Sequence, residues 1–175
     1  MRSSIGGVVV PTHSASAPNG WGALRVVLVG EKTGMGAVDL TLVDEMLDNS
    51  QVIAVVGMSD KPWRASHNIA AYLARVGYRV LPVNPALTRV LVGTEEVDCY
   101  ASLDAANAVA KIDLVDVFRA SDAVPAIVDD VVRLGIRYLW LQDEVVHDEA
   151  VARAEAAGVK CVQDDCLFRR HAARG

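Results

Sequence analysis

Aromatic residues make up only 5% of this 175-residue chain, so its core has to be built mainly from Val, Ala and Leu. The three cysteines, Cys99, Cys161 and Cys166, are odd in number and lack metal-ligand spacing, which argues against a disulfide framework and against a zinc site. They read as reduced thiols of a cytosolic protein. No dense run of Lys or Arg occurs, and 22 acidic residues against 17 basic ones leave a net charge of −5. Nucleic-acid binding relies on basic clusters that neutralise phosphates, so no nucleic-acid partner is expected. No apolar run approaches the roughly 20 residues that a membrane-spanning helix requires. The short run Ile5 to Val10 behind Arg2 is closed by Pro11, which speaks against a signal peptide. These absences together imply a soluble, cytoplasmic protein without a membrane partner.

What remains is an ordinary globular composition, 52% apolar and 22% charged, at a length that favours a single domain. Residues 1–37 stand apart because Gly, Ser, Pro and Asn are frequent there, and they read as a flexible N-terminal extension. Within them, Gly30-Glu31-Lys32-Thr33-Gly34-Met35-Gly36 follows an apolar run but lacks the Gly-Lys-Ser/Thr ending of a phosphate loop, so it reads as linker. The folded part is expected over residues 38–168, with 169–175 as a polar C-terminal tail.

The richest stretch is Val52 to Asn68. Val52-Ile53-Ala54-Val55-Val56 is too short for a normal helix and suits a strand buried on both faces. Gly57 ends it, and a loop with Ser59, Lys61, Pro62 and Arg64 leads into Ile69, Tyr72, Leu73 and Val76 at helical spacing, stopped by Gly77. In such a strand-loop-helix unit the first N–H groups of the helix lack internal partners and face the strand end, which favours an anion such as phosphate.

The alternation continues along the chain. Leu40 to Leu47 suits a leading helix, Tyr78 to Val83 a second strand ending at Asn84-Pro85, and Val97 to Tyr100 a short edge strand. Ser102 or Asp104 caps a brief helix, and Leu114 to Phe118 forms the next buried strand. Val124 to Leu134 lines a helix face, Tyr138 to Leu141 is a strand, Asp148 caps a helix through Ala157, and Val159 to Val162 is the last strand. Strands alternating with helices imply an α/β fold, a mostly parallel, doubly wound sheet with helices on both faces.

Ligands of such sheets bind beyond the C-terminal strand ends. The residues just past those ends are Gly57, Met58, Ser59, Lys61, Arg64 and Ser66 after the first strand, Asn84 and Pro85 after the second, Val117, Phe118 and Arg119 at the next, and Gln142 after the following one. Two arginines, a lysine, hydroxyls and an amide suit a nucleotide with phosphates. A nicotinamide dinucleotide site usually carries Gly-x-Gly-x-x-Gly and an acidic residue at the second strand for the ribose hydroxyl. This loop has Gly57 alone, and the second strand ends in Asn84. A neutral amide tolerates a ribose phosphate better than a carboxylate does, which favours coenzyme A over NAD.

Ile53-Ala54-Val55-Val56-Gly57-Met58-Ser59-Asp60-Lys61-Pro62, then Tyr72-Leu73, Gly77-Tyr78, Pro82-Val83-Asn84-Pro85 and Val115-Asp116-Val117-Phe118-Arg119, resembles the small bacterial CoA-binding domain proteins. Trp140-x-Gln142 and Asp164-x-Cys166 extend the match. The family is similar to the N-terminal CoA-binding domain of the succinyl-CoA synthetase α subunit. The resemblance implies a Rossmann-like domain whose loop Gly57 to Ser66 holds the CoA phosphates, with Ser59 and backbone amides as donors and Lys61 or Arg64 as counter-charge. It implies that Asn84 and Pro85 lie near the adenosine end, and Val117, Phe118 and Arg119 near the pantetheine. This chain carries Asp143-Glu144 where the family commonly has a glycine soon after Trp-x-Gln, adding negative charge beside the expected site.

Trp63 is either a cover for adenine or an exposed residue. His67 has no serine or cysteine nucleophile to pair with, and a carboxylate next to Cys166 raises a thiol pKa, so neither reads as catalytic. The expectation is a binding or regulatory module for CoA or an acyl-CoA, without catalytic residues or metal, whose protein partner the sequence leaves open. The alternatives are an NAD(H)-binding redox-sensing or oxidoreductase-type protein, and an acyl-CoA enzyme whose other half is a separate chain.

Overall fold

Small and β-branched apolar residues in unbroken succession make Val52–Val56 the central strand, β1, with its last four residues buried. The computed structural model describes residues 38–174. The extension expected over residues 1–37 lies outside the described residues. Helix α1 (Leu40–Asp48), whose Asp39 carboxylate accepts the Thr41 N–H, precedes β1. After β1 come α2 (Ala65–Arg75), β2 (Arg79–Val83), β3 (Arg89–Val92), β4 (Glu95–Asp98) and α3 (Leu103–Val109). Then follow β5 (Leu114–Val117), α4 (Val124–Arg133), β6 (Tyr138–Leu141), α5 (Asp148–Ala156), β7 (Lys160–Val162) and α6 (Leu167–Ala172).

Five strands pair in the order β2-β1-β5-β6-β7, and all four pairings are parallel. Period-two alternation sends Ala54, Val56, Val115, Val117 and Leu139 to the face covered by α3, α4 and α5. Ile53, Val55, Leu114, Tyr138 and Trp140 go to the opposite face, under α1, α2 and α6. Burying each such side chain contributes roughly 1.5–3 kcal/mol, so both helical layers are held by the sheet they cover. This is the expected α/β arrangement, a Rossmann-like parallel sheet with helices on both faces.

Four local features depart from the sequence reading. The segment after Pro85 folds as an antiparallel hairpin, β3 against β4, outside the main sheet; β3 packs on α2 through Val90 and Val92. Of the edge strand expected at Val97 to Tyr100, Val97 and Asp98 fall in β4 of the hairpin, and Tyr100 joins the main sheet by a single bridge to Val83. Residues expected to open the polar tail instead form α6, with Leu167 fully buried and Arg169 and Arg170 bonded to acidic partners. The cap of α5 is His147, whose Nδ1 accepts the Ala150 N–H, in place of Asp148.

At the N-terminal edge of the sheet two carboxylates are spent within the fold. The Asp113 carboxylate accepts the N–H groups of Gln51 and Val52 at 2.9 and 3.0 Å, joining the starts of β5 and β1. Lys160 at the start of β7 pairs with Glu45 of α1 at 2.5 Å. At the opposite edge the chain leaves β1 toward β2 on one side, whereas β5 lies on the other. The strand order reverses there, which opens a crevice beyond the ends of β1 and β5.

Candidate functional site

Gly57 sits where β1 and β5 end side by side, with φ +86°. A Cβ on it would lie 3.0 Å from the Phe118 carbonyl oxygen and 3.1 Å from Arg119 Cδ. The position therefore requires glycine twice over, for its left-handed backbone and for the closeness of the neighbouring chain. The N–H groups of Gly57 and Met58 both donate to the Val83 carbonyl, at 3.0 and 3.3 Å. Asn84 adds a clamp: its Nδ2 donates to the Met58 carbonyl at 2.6 Å and its Oδ1 accepts the Ala86 N–H at 2.9 Å. The end of β2 thus sets the path of the loop that leaves β1.

Beyond the clamp the loop is held by its own turns. Ser59 Oγ accepts the Lys61 N–H at 3.2 Å, and His67 Nδ1 donates to the Ser59 carbonyl at 3.2 Å. Arg64 caps α2 with its backbone only. The N–H groups of Ser59, Asp60, Ala65 and Ser66 make no hydrogen bond within the described residues. They border a groove of about 770 Å³ that runs from this loop past Asn84, Phe118 and Arg119 to Gln142 and Glu144.

The charge balance of the groove is uneven along its length. Lys61, Arg64 and Arg119 have no acidic partner among the described residues. Of the acids that line it, Asp143 is held by both guanidinium nitrogens of Arg169, at 2.7 and 2.8 Å. Arg169 comes from α6, so the negative charge added by Asp143 is neutralised by the segment expected to be tail. Asp60 and Glu144 have no basic partner among the described residues. With the unspent N–H groups and the N-terminal end of the α2 dipole, the loop end of the groove is equipped for an anion.

The expected site residues divide into those whose side chains reach the groove and those that shape it. Ser59, Lys61, Arg64, Ser66, Phe118, Arg119 and Gln142 line it. Gly57 and Met58 border it with backbone, since the Met58 side chain is fully buried in the core. Asn84 lines it while spending its side chain on the clamp. Pro85 lies in an adjoining notch of about 280 Å³ with Val83, Leu103, Ile127 and Asp130. Val117 is fully buried in the core under α4, so its side chain does not reach the groove. Trp63 is 75% exposed, with Lys61 Nζ 6.0 Å from its ring, and does not line the groove.

Asp116 was given no role from sequence, although a lone acid in an otherwise apolar buried strand is a visible signal. It is fully buried in β5 and accepts Gln142 Nε2 at 2.7 Å. Burial pushes its carboxyl up to about 7, against the lowering effect of that hydrogen bond. His67 and Cys166 are both buried and have no nucleophilic or catalytic partner in hydrogen-bond reach among the described residues.

A glycine-hinged, anion-ready loop at the switch point of a parallel sheet defines a Rossmann-like nucleotide-binding module. The chain belongs to the CoA binding domain family, whose pattern it matches over residues 51–172. It is 32% identical over 130 residues to the uncharacterised protein YneT of Bacillus subtilis (strain 168), across 74% of this chain and 92% of that one. A solved structure of a hypothetical protein from Pyrococcus horikoshii OT3 superposes with a TM-score of 0.72 at 30% identity, over 82% of this chain and 97% of that one. An acetyl-coenzyme A synthetase from Ca. Korarchaeum cryptofilum shares the fold, with a TM-score of 0.57 at 24% identity over 72% of this chain and 30% of that one. No helix among the described residues is long and apolar enough to cross a membrane.

Proposed function

We propose that the groove binds coenzyme A or an acyl-CoA, and that the chain acts as a stand-alone binding or regulatory module without catalytic residues of its own. The observation that carries this reading is the convergence of Lys61, Arg64 and Arg119, unpaired among the described residues, with the unspent N–H groups at the start of α2. Cations left without acidic partners beside free donors suit a ligand with several phosphates, and membership of the CoA binding domain family supports CoA as that ligand. The groove volume of about 770 Å³ is in the range of small-molecule sites. The loop from Gly57 to Ser66 takes the phosphates. The notch at Asn84 and Pro85 takes the adenosine end, and the stretch past Phe118 to Gln142 takes the pantetheine arm.

Asn84 favours CoA over NAD for a second reason. Its side chain is held at both ends, and the end of β2 presents a neutral amide, with no carboxylate to repel a ribose phosphate. Thermal unfolding and calorimetry with CoA, acetyl-CoA, dephospho-CoA, NAD and NADP test the reading. CoA at 100 times its dissociation constant stabilises the fold by about 2.7 kcal/mol, and dephospho-CoA does less at equal concentration. Stabilisation by NAD with none by CoA at millimolar concentration overturns it.

A further inference from the structure

We propose that Asp116 orients the Gln142 amide so that Gln142 Oε1 faces the groove and accepts a hydrogen bond from an amide N–H of the pantetheine arm. Gln142 is the contact residue and Asp116 a positioning residue. The inference rests on the CoA reading, since pantetheine supplies the N–H groups.

A fully buried carboxylate is costly unless it is paired. Asp116 has neither an ion-pair partner nor a backbone N–H to accept among the described residues. Its Oδ1 accepts Gln142 Nε2 at 2.7 Å, and its Oδ2 has no hydrogen-bond partner. Its one polar contact is therefore with a residue of the groove. Gln142 is itself 5% exposed, and its backbone is fixed on both sides: its N–H donates to the Val117 carbonyl at 3.3 Å and its carbonyl accepts the Val145 N–H at 3.0 Å. Only the amide can turn, and at pH 8 the Asp116 carboxyl is ionised and accepts but never donates, so Nε2 faces Asp116. Oε1 is left without a partner among the described residues, at the wall of the groove.

The two ends of the groove thereby differ in kind. The loop end presents donors and cations, whereas the Gln142 end presents an oriented neutral acceptor between Phe118 and Val145. Phosphates need the first. An amide on an apolar arm needs the second.

Binding of CoA and of adenosine 3′,5′-bisphosphate, which lacks the pantetheine arm, is measured by calorimetry at pH 8. The chains are wild type, Gln142→Met, Asp116→Val and Asp116→Asn. Gln142→Met and Asp116→Val are expected to weaken CoA about tenfold, the worth of one well-made hydrogen bond, and to leave the bisphosphate within about twofold. Asp116→Asn keeps an acceptor for Nε2 and is expected to hold CoA within about threefold of wild type. Equal CoA affinity in Gln142→Met and wild type overturns the inference, as does equal weakening of both ligands in Asp116→Val. If Asp116→Val does not fold, Gln142→Met and Asp116→Asn carry the same contrast. A wild-type chain that binds the bisphosphate but not CoA overturns the pantetheine contact alone; one that binds neither overturns the CoA reading with it.

Discussion

The two edges of one sheet treat charge in opposite ways. At the N-terminal edge Asp113 spends its carboxylate on the N–H groups that begin β1, and Lys160 meets Glu45. At the C-terminal edge Lys61, Arg64 and Arg119 face a groove without acidic partners among the described residues. The same strands run through both edges, so strand chemistry does not account for the difference. The carboxylates of Asp113 and Glu45 at the first edge are satisfied by the fold, and the three cations at the second are left for something the described residues do not supply. A parallel sheet makes this asymmetry available, because all its strands end on the same side.

Substitutions at matched places sharpen that contrast. The largest effect is expected from Gly57→Val, where a left-handed backbone and the Phe118 carbonyl at 3.0 Å both oppose a side chain. The change should cost at least about 2 kcal/mol and abolish CoA binding. Gly77→Ala near the other edge also meets a positive φ, but with nothing within 4 Å. It should cost about 1 kcal/mol and leave affinity intact. Denaturant unfolding and calorimetry read the two quantities separately, and equal loss of CoA affinity in both variants would break the contrast.

Next in size is Lys61→Ala with Arg64→Ala. The pair should weaken CoA about 10- to 100-fold, flatten its salt dependence, and hardly move the thermal midpoint, because neither side chain supports another. Asp113→Ala should do the reverse. Loss of a carboxylate that accepts two backbone N–H groups should cost about 2 kcal/mol, while CoA affinity of the folded fraction stays put.

A pH dependence comes last, because it is read between conditions and not as a single loss. Asp116 has its carboxyl raised by burial from 3.8 to about 7. A raised carboxyl binds its proton more tightly in the folded chain, so its contribution is fully present below the unfolded pKa and is lost as pH rises through about 7. Asp116→Asn removes that loss. Its stability relative to wild type should therefore climb between about pH 4 and pH 7 and level off above, as read by denaturant unfolding at several pH values. A difference that stays flat with pH would remove the buried, proton-binding carboxyl from the account.

Legibility in the sequence followed the range of the interactions. The run Val52 to Val56, the break at Gly57 and the helical spacing from Ile69 are local patterns, and they led directly to the central strand and its loop. Ser59, Lys61, Arg64, Phe118, Arg119 and Gln142 could be placed together because a parallel sheet brings its strand ends to one edge. The hairpin Arg89–Asp98 was hidden because only Val90 and Val92 of its strands are buried, too few for a strand signal. Helix α6 looked like a polar tail because its charges are answered far away in sequence, by Asp143 for Arg169 and by Asp44 and Asp48 for Arg174 just beyond its end. The double duty of Asn84 was hidden for the same reason: its amide reaches Met58, 26 positions away.

That clamp has a consequence for timing. The Val83 carbonyl and the Asn84 side chain fix the exit of β1, and Ser59 and His67 fix the turns that follow, all through bonds within the chain. A loop braced in this way surrenders little conformational entropy when an anion arrives. No slow closing step has to precede capture, so occupancy can track a changing ligand concentration as fast as encounter and escape allow. In those terms Asn84 is a residue for speed: it keeps the cradle open and ready between visits.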